Sequence, residues 1–328
     1  MYLTVFFILF FGIPKCITWF PNSLLTYPLI RSALLWIYIG CIASFMVFFT
    51  SYTDILGVVL CFITVALIKL YEFKQMKNNP IFNGEKKQIV DTFMNILNSR
   101  VTYEHLNEMD YKNGIDSNYI IAIHPHGVWP SSAFHYIIDP IVKTGKKNVM
   151  VVHDLIFFAP IIREIAFAFG IRDCSEKTIK EILHQKQNVV IMPGGEKEVI
   201  NMQDGSDMVY IRHRKGIFRI SLETGVPIIP IISYYENDLY SNLNVPWFRT
   251  LLKRLLNTSM VICLGDIPEF WLPKSKTIKM CCGKPILPQT IHGKTTYEKI
   301  ENYRKTYVAT IRALDRKFNP DRELIIID

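Results

Sequence analysis

The feature that most constrains this chain is a long stretch near its N-terminus without any formal charge. Residues 32–53 contain no Lys, Arg, Asp or Glu. A helix rises about 1.5 Å per residue, so a stretch of this length spans the roughly 30 Å hydrocarbon core of a bilayer. The sequence therefore predicts a transmembrane helix here, with a buried core helix as the alternative.

A second apolar stretch, residues 55–68, follows after a turn that carries Asp54. As a helix it reaches only about 21 Å, so it either spans the bilayer with help from flanking residues or forms half of a re-entrant hairpin. Basic residues flank the outer ends of this pair, at Lys15, Arg31, Lys69, Lys74 and Lys77. The positive-inside rule then predicts that the rest of the chain faces the cytosol.

Charge divides the chain into two predicted domains. Residues 1–70 hold three basic residues and one acidic residue of the 37 and 29 in the whole chain, so the polarity of an ordinary folded domain begins after them. We expect a membrane anchor over residues 1–78, with an interfacial segment followed by a hairpin over about residues 32–70. Residues 79–328 form the second predicted domain.

Composition narrows the possible partners and the compartment. The net charge of +8 is spread along the chain, which favours an anionic membrane or a phosphorylated co-substrate and predicts no nucleic-acid partner. The seven cysteines include no CxxC pair and are typical of buried thiols in a reducing compartment. Cys281 and Cys282 are predicted to lie inside a strand, with redox activity or palmitoylation as alternatives.

Beyond Pro80, short apolar runs alternate with helical patterns, which predicts an α/β domain with a mixed, largely parallel sheet flanked by helices. The predicted strands are residues 118–123, 148–152, 188–192 and 226–232, and the predicted helices are residues 176–183 and 217–223. Open α/β sheets bind ligands at the carboxyl ends of their strands, so the residues after each strand are the candidate site.

The first of these strands leads into His124-Pro125-His126-Gly127. Proline keeps the preceding residue extended, and residues i and i+2 of an extended segment point to the same side. We therefore expect both imidazoles to face one pocket, while Gly127 allows the backbone to turn.

Three further segments carry polar chemistry. Pro193-Gly194-Gly195 lies next to Glu196 and Glu198 and permits a close backbone approach to a ligand. Glu236 and Asn237 follow the fourth strand, and a basic run, residues 212–215, precedes Gly216 and an apolar helix. The run is either a solvated face or a phosphate site, and the glycine loop alone is as often structural as functional.

In their order along the chain, these motifs resemble the diacylglycerol acyltransferase type 2 family, which includes monoacylglycerol acyltransferases and wax synthases. The resemblance covers about residues 72–318 and rests on Ile-His-Pro-His-Gly at 123–127, Pro-Gly-Gly-x-x-Glu at 193–198, Arg-Lys-Gly-Ile-Phe at 214–218, Glu236-Asn237, and Gly-Lys-Pro-Ile at 283–286. It implies a fold like that of the glycerolipid acyltransferases.

The resemblance also implies an activity, a set of partners and a location. Acyl-CoA would donate a fatty acyl group to the hydroxyl of a neutral lipid, most directly diacylglycerol, with monoacylglycerol or a fatty alcohol as alternatives. It implies no cofactor besides this co-substrate and no metal. The enzyme would be embedded in the endoplasmic reticulum membrane or at lipid droplets, with its catalytic domain facing the cytosol and homo-oligomers as an open alternative.

One departure from the related glycerolipid acyltransferases is visible. Their His-x4-Asp motif is absent, because Trp129 and Ser131 stand five residues after His124 and His126. We expect Glu198 to supply the missing carboxylate, with Glu196 and Asp154 as weaker alternatives.

The roles that follow are expectations. His126 acts as general base, and His124 either stabilises the oxyanion or holds the tautomer of His126, with the two roles open to exchange. Turn or oxyanion positions are Gly127, Gly194 and Gly195, and the acyl-CoA site is Arg214, Lys215 and Gly216. A metal-dependent hydrolase using the His-x-His pair and a non-catalytic lipid-binding membrane protein are the competing interpretations.

Overall fold

The computed structural model describes residues 80–107, 109–110, 118–158, 162–202, 205–243, 262–266 and 272–328. These residues belong to two compact units: residues 80–93 with Asp154–Gly170, and Met94–His153 with Ile171–Asp328. The predicted anchor, residues 1–78, and its hairpin lie outside the described residues. Of the helices described, none has both the length and the apolar character needed to cross a bilayer.

Helices and strands are numbered here in chain order. The helices in the described ranges are α1 (Pro80–Asn98), α2 (Ser131–Ile138), α3 (Ile162–Ala168), α4 (Glu176–His184), α5 (Glu196–Ile200), α6 (Gly216–Thr224) and α7 (Thr296–Phe318). The strands are β1 (Val101–His105), β2 (Met109–Asp110), β3 (Ile120–His124), β4 (Val142–Lys143), β5 (Asn148–Val152), β6 (Arg172–Asp173), β7 (Asn188–Ile191), β8 (Ser206–Tyr210), β9 (Ile228–Tyr234), β10 (Ser241–Leu243), β11 (Ile262–Leu264), β12 (Lys276–Cys282) and β13 (Glu323–Ile327).

The main sheet of the larger unit has seven strands in the order β1-β12-β9-β3-β7-β5-β6. Strands β9, β3, β7, β5 and β6 run parallel to one another, whereas β12 is antiparallel to β9 and β1 is parallel to β12. The prediction of a mixed, largely parallel sheet flanked by helices is therefore confirmed. The four predicted strands correspond to β3, β5, β7 and β9, and the two predicted helices to α4 and α6.

The two central strands of this sheet are buried along their whole length. Every residue of β3 and β9 is buried, which explains why these strands appear in the sequence as continuous apolar runs. Helix α7 packs against β9 through one stripe, formed by Ile300, Tyr303, Tyr307, Val308, Ile311 and Leu314. Thr295 caps this helix by accepting the backbone N–H of Glu298 at 3.2 Å.

The last strand is held by a buried ionic cluster. Strand β13 pairs in parallel with β8, and Arg322 just before it donates to Asp207 at 2.7 Å and to Asp238 at 2.7 Å. Asp207 is completely buried, so its charge depends on this partner. Cys281 and Cys282 are buried in β12 as predicted, whereas Cys174 is exposed.

The strand order brings three of the predicted motifs together. Strand β3 lies between β9 and β7, and all three are parallel, so their carboxyl ends meet at one edge of the sheet. The loops after these strands carry the His-Pro-His-Gly motif, the glycine loop with Glu198, and Glu236. The fold therefore assembles the candidate site at the centre of the sheet.

Candidate active site

His124 is the last residue of β3 and is completely buried. Its Nδ1 lies 2.6 Å from Glu198 Oε1, and its Nε2 lies 3.0 Å from the hydroxyl of Tyr307 on α7. Both ring nitrogens are thus bonded to other side chains of the protein. His124 therefore connects Glu198 to Tyr307 in the protein interior and does not line an open pocket.

Glu198 on α5 is the residue around which this region is organised. Its carboxylate is completely buried and accepts from His124 Nδ1, from the backbone N–H of His126 at 2.7 Å and from the backbone N–H of Tyr210 at 2.8 Å. Hydrogen bonds of this kind hold a buried carboxylate in one orientation. A Cβ on Gly194 would overlap this carboxyl group, which explains a glycine at that position.

His126 differs from His124 in its surroundings. Its side chain is partly exposed, and its Nδ1 lies 2.7 Å from the carbonyl oxygen of Gly127. A carbonyl oxygen can only accept, so Nδ1 carries the proton and Nε2 keeps its lone pair. Burial lowers the pKa of His126 below its usual 6.5, which favours the neutral imidazole.

Glu236 holds the loop after His126 in place. Its buried carboxylate accepts from the backbone N–H and the hydroxyl of Ser131, at 2.7 and 2.8 Å, and from the hydroxyl of Ser233 at 3.1 Å. It therefore caps the start of α2, and burial raises its pKa to about 7. Gly127 has a φ of +63°, and a Cβ there would lie 2.7 Å from Glu236 Cγ, so two constraints select glycine. Asn237 donates to the carbonyl of Ser206 at 3.3 Å.

The predicted acyl-CoA residues have different environments. The Arg214 guanidinium donates to the carbonyl of Gly194 at 2.6 Å and lies over the ring of Tyr210, so it braces the glycine loop. The Lys215 ammonium lies 3.0 Å from Glu301 and over the exposed ring of Tyr297. Gly216 is the first residue of α6.

Several details differ from the sequence-based expectations. The two imidazoles do not face one pocket, because His124 is enclosed by Glu198 and Tyr307. The tautomer of His126 is set by the carbonyl of Gly127, not by His124. The backbone N–H of Gly195, an expected oxyanion donor, already donates to the carbonyl of Met192 at 3.2 Å.

Two residues that hydrogen-bond to His124 or Glu198, namely Tyr307 and Tyr210, were not predicted from the sequence. Tyr307 had a detectable signal, since it belongs to the helical stripe of α7 together with Tyr303. Tyr210 contributes its backbone N–H, which no side-chain motif reveals.

A metal centre at the His-x-His pair would need both rings free to turn toward a common ion. The Nδ1 atoms of His124 and His126 are bonded to Glu198 and to Gly127 instead. In the described part of the chain, the group with metal-ligand spacing is elsewhere, at His105, His135 and Asp139. The hydrolase interpretation therefore has no support at the predicted residues.

The chain belongs to the diacylglycerol acyltransferase family, whose family model matches residues 45–324, and the predicted resemblance is thereby confirmed. It is 29% identical over 219 residues to diacylglycerol O-acyltransferase 2-like protein 6 of Bos taurus, covering 60% of this chain and 65% of that protein. It is also 29% identical over 216 residues to 2-acylglycerol O-acyltransferase 1 of Mus musculus, covering 60% of this chain and 64% of that protein. These matches span just under two thirds of the relatives' lengths.

A more distant likeness exists to a solved structure, the 1-acyl-sn-glycerophosphate acyltransferase PlsC from Thermotoga maritima. It extends over 88% of this chain and 97% of that chain, with 16% sequence identity and a TM-score of 0.41. At that TM-score the likeness says nothing about the reaction.

Proposed function

We propose that this protein transfers a fatty acyl group from acyl-CoA to the hydroxyl of a neutral lipid, with diacylglycerol as the first candidate acceptor and triacylglycerol as the product. Family membership supports this class of reaction. The observation that carries it is the geometry of His126: its Nδ1 donates to the carbonyl of Gly127, which leaves Nε2 able to accept, and burial lowers its pKa. This is the form that a general base needs.

The reaction moves one proton and replaces the thioester C–S bond with an ester C–O bond. Nε2 of His126 takes the proton of the lipid hydroxyl while that oxygen attacks the thioester carbonyl carbon. The tetrahedral intermediate then expels the CoA sulfur, which receives the proton back from His126, and the ester is formed. Glu198 takes no part in the proton transfer, because its carboxylate accepts from the backbone N–H of His126 and not from its ring.

The remaining site residues have supporting roles in this proposal. Lys215 supplies positive charge for the phosphates of CoA at the N-terminus of α6, where Gly216 starts the helix. Arg214 acts by holding the glycine loop. The backbone N–H of Gly194 remains the predicted oxyanion donor, and Gly127 shapes the turn next to the base.

The acceptor and the location are part of the same proposal. A relative named 2-acylglycerol O-acyltransferase 1 supports monoacylglycerol as the second candidate acceptor, ahead of a fatty alcohol. We infer that the protein is embedded in the endoplasmic reticulum membrane or at lipid droplets, with its catalytic domain facing the cytosol, and that it acts as a monomer or homo-oligomer. The anchor predicted over residues 1–78 is the reason for this location.

The test is expression in cells that lack neutral-lipid synthesis. Membranes carrying the wild type, His126→Ala or His292→Ala receive labelled acyl-CoA with diacylglycerol, monoacylglycerol or a fatty alcohol, and the products are separated by chromatography. His292 is exposed and is not one of the predicted site residues, so its variant is the matched control.

We expect labelled triacylglycerol from the wild type and the control, and a loss of roughly 10²- to 10⁴-fold in His126→Ala. Full activity in His126→Ala would remove the assignment of the base. No labelled ester with any acceptor would favour the non-catalytic lipid-binding alternative.

A further inference from the structure

Tyr307 approaches His124 from the opposite side to Glu198. It lies on α7 and is completely buried, and its hydroxyl is 3.0 Å from His124 Nε2. Its ring packs edge-on against Phe218, with the centroids 5.5 Å apart. The ring contact with Phe218 and the hydrogen bond to His124 together fix the position of the Tyr307 hydroxyl.

The hydrogen bonds in this cluster have a definite direction. The carboxylate of Glu198 accepts from Nδ1 of His124, and with this imidazole in its neutral form Nε2 is left as an acceptor. The hydroxyl of Tyr307 then donates to Nε2. In this arrangement every buried polar atom of the chain Tyr307–His124–Glu198 has a partner, which is the condition for a stable polar network in a protein interior.

The hydroxyl keeps its proton under all physiological conditions. Burial raises the pKa of Tyr307 well above its usual value, and the charge of Glu198 raises it further. A neutral phenol is a dependable donor.

We propose that Tyr307 is a positioning residue of the acyl-transfer site, which acts through His124 to hold Glu198 and thereby the backbone of His126. The route is continuous: Tyr307 fixes the ring of His124, that ring fixes Oε1 of Glu198, and Oε2 of Glu198 holds the N–H of His126. Tyr307 and His124 are completely buried and hydrogen-bond to each other, so both are assigned positioning roles. This inference rests on the proposed function of His126.

The chain supplies a matched control in Tyr303, one helical turn earlier on α7. Tyr303 is also completely buried and packs on the same Phe218, at 5.3 Å between centroids. Its hydroxyl donates to the carbonyl of Ile286 at 2.7 Å and lies 2.9 Å from the hydroxyl of Ser221. Tyr303→Phe therefore removes an equally buried hydroxyl from the same helix without touching His124.

The experiment compares the steady-state kinetics of Tyr307→Phe and Tyr303→Phe in the full-length, membrane-bound protein. We expect Tyr307→Phe to lower kcat about tenfold, which corresponds to about 1.4 kcal/mol, with the KM values for acyl-CoA and acceptor changed less than about twofold. Tyr303→Phe should lower the temperature of unfolding and leave kcat within about twofold. Equal loss of kcat in both variants, or no loss in Tyr307→Phe, would overturn the proposal.

A double-mutant comparison tests the route through His124. If Tyr307 acts only through that ring, Tyr307→Phe has no further effect on kcat in a His124→Ala background. The same tenfold loss in both backgrounds would show a purely structural role and overturn the proposal. If Tyr307→Phe does not fold, Tyr307→Gln and Tyr307→Met repeat the comparison, and only the Gln variant, which retains a donor, should keep the higher kcat.

The outcomes separate this inference from the proposed function. Loss of activity in His126→Ala together with wild-type kcat in Tyr307→Phe would remove the role of Tyr307 alone. Retained activity in His126→Ala would remove the base itself.

Discussion

The carboxyl group of Glu198 occupies the space into which a side chain at Gly194 would project. The two residues are four positions apart, at the turn where the loop after β7 enters α5. Gly194 is therefore required by the close approach of Glu198, and not only by the flexibility that a Pro-Gly-Gly loop provides.

Gly194→Ala should displace Glu198 from His124 and from the backbone of His126. We expect destabilisation of about 1–3 kcal/mol from overpacking and loss of most acyl transfer, because the added methyl group cannot be accommodated without moving the carboxylate. Thermal unfolding and product formation measure the two effects. Gly216→Ala is the comparison for stability, since no described atom lies within 4 Å of a Cβ built there; an equal fall in unfolding temperature for both variants would contradict the explanation.

The lowered pKa of His126 predicts the pH dependence of the reaction. The base is active when neutral, so kcat/KM should be flat near pH 7 and fall only as the pH drops through a value below 6.5. The profile is measured with membranes between pH 5 and 8 at saturating acceptor. A decline whose midpoint lies above pH 6.5 would mean that His126 is not the titrating base.

The buried carboxyl of Glu236 predicts how stability depends on pH. Its pKa rises from 4.5 to about 7 on folding, so between these values the folded chain binds more protons than the unfolded chain. The free energy of unfolding therefore falls as the pH rises through this window, by up to about 1.4 kcal/mol per pH unit, and the loss is complete above about pH 7.

Glu236→Gln removes this titration while keeping an oxygen that can accept from Ser131. Thermal unfolding of detergent-solubilised wild type and variant between pH 4.5 and 7.5 should show the wild type losing stability relative to the variant as the pH rises across the window. Parallel curves would show that Glu236 does not titrate there.

The ion pair between Lys215 and Glu301 predicts an effect on acyl-CoA binding. Glu301→Gln removes the carboxylate 3.0 Å from the Lys215 ammonium, which leaves more positive charge for phosphates. We expect a KM for acyl-CoA roughly two- to threefold lower, with a steeper rise of KM with salt, and the opposite change in Lys215→Ala. The control is Glu176→Gln, which breaks ion pairs of Lys180 and Arg219 outside the predicted site and should leave the KM for acyl-CoA unchanged. If this KM changes neither with salt nor in Glu301→Gln and Lys215→Ala, the basic run has no role in binding acyl-CoA.

The sequence predicted four strands of the main sheet, β3, β5, β7 and β9, and missed β1 and β12. Strands β3, β5, β7 and β9 are short apolar runs, whose boundaries were predicted to within about two residues. In β1, buried or partly buried residues alternate with exposed ones, and β12 begins with exposed Lys276 and Thr277, so neither forms a continuous apolar run. Helix α7 was missed although its apolar positions recur at helical spacing, because charged residues separate them.

The sequence identified most of the residues that the structure brings together here, but not the hydrogen bonds between them. Local motifs identified the two histidines, the glycines and Glu198, and geometry adds that the carboxylate lies beside them. No local pattern distinguishes a histidine with both ring nitrogens hydrogen-bonded, as in His124, from one with only Nδ1 hydrogen-bonded among the described residues, as in His126, because that difference depends on Tyr307, 183 positions along the chain, and on the carbonyl of Gly127.

The side chain of Glu198 on α5 forms hydrogen bonds with residues of β3 and β8. Through His124 it is also connected to α7. A fragment that keeps every recognisable motif but ends before α7 would retain both histidines and the acid yet lack the phenol that completes the assembly. We therefore expect acyl transfer to depend on the packing of α7 against the sheet as well as on the recognisable motifs.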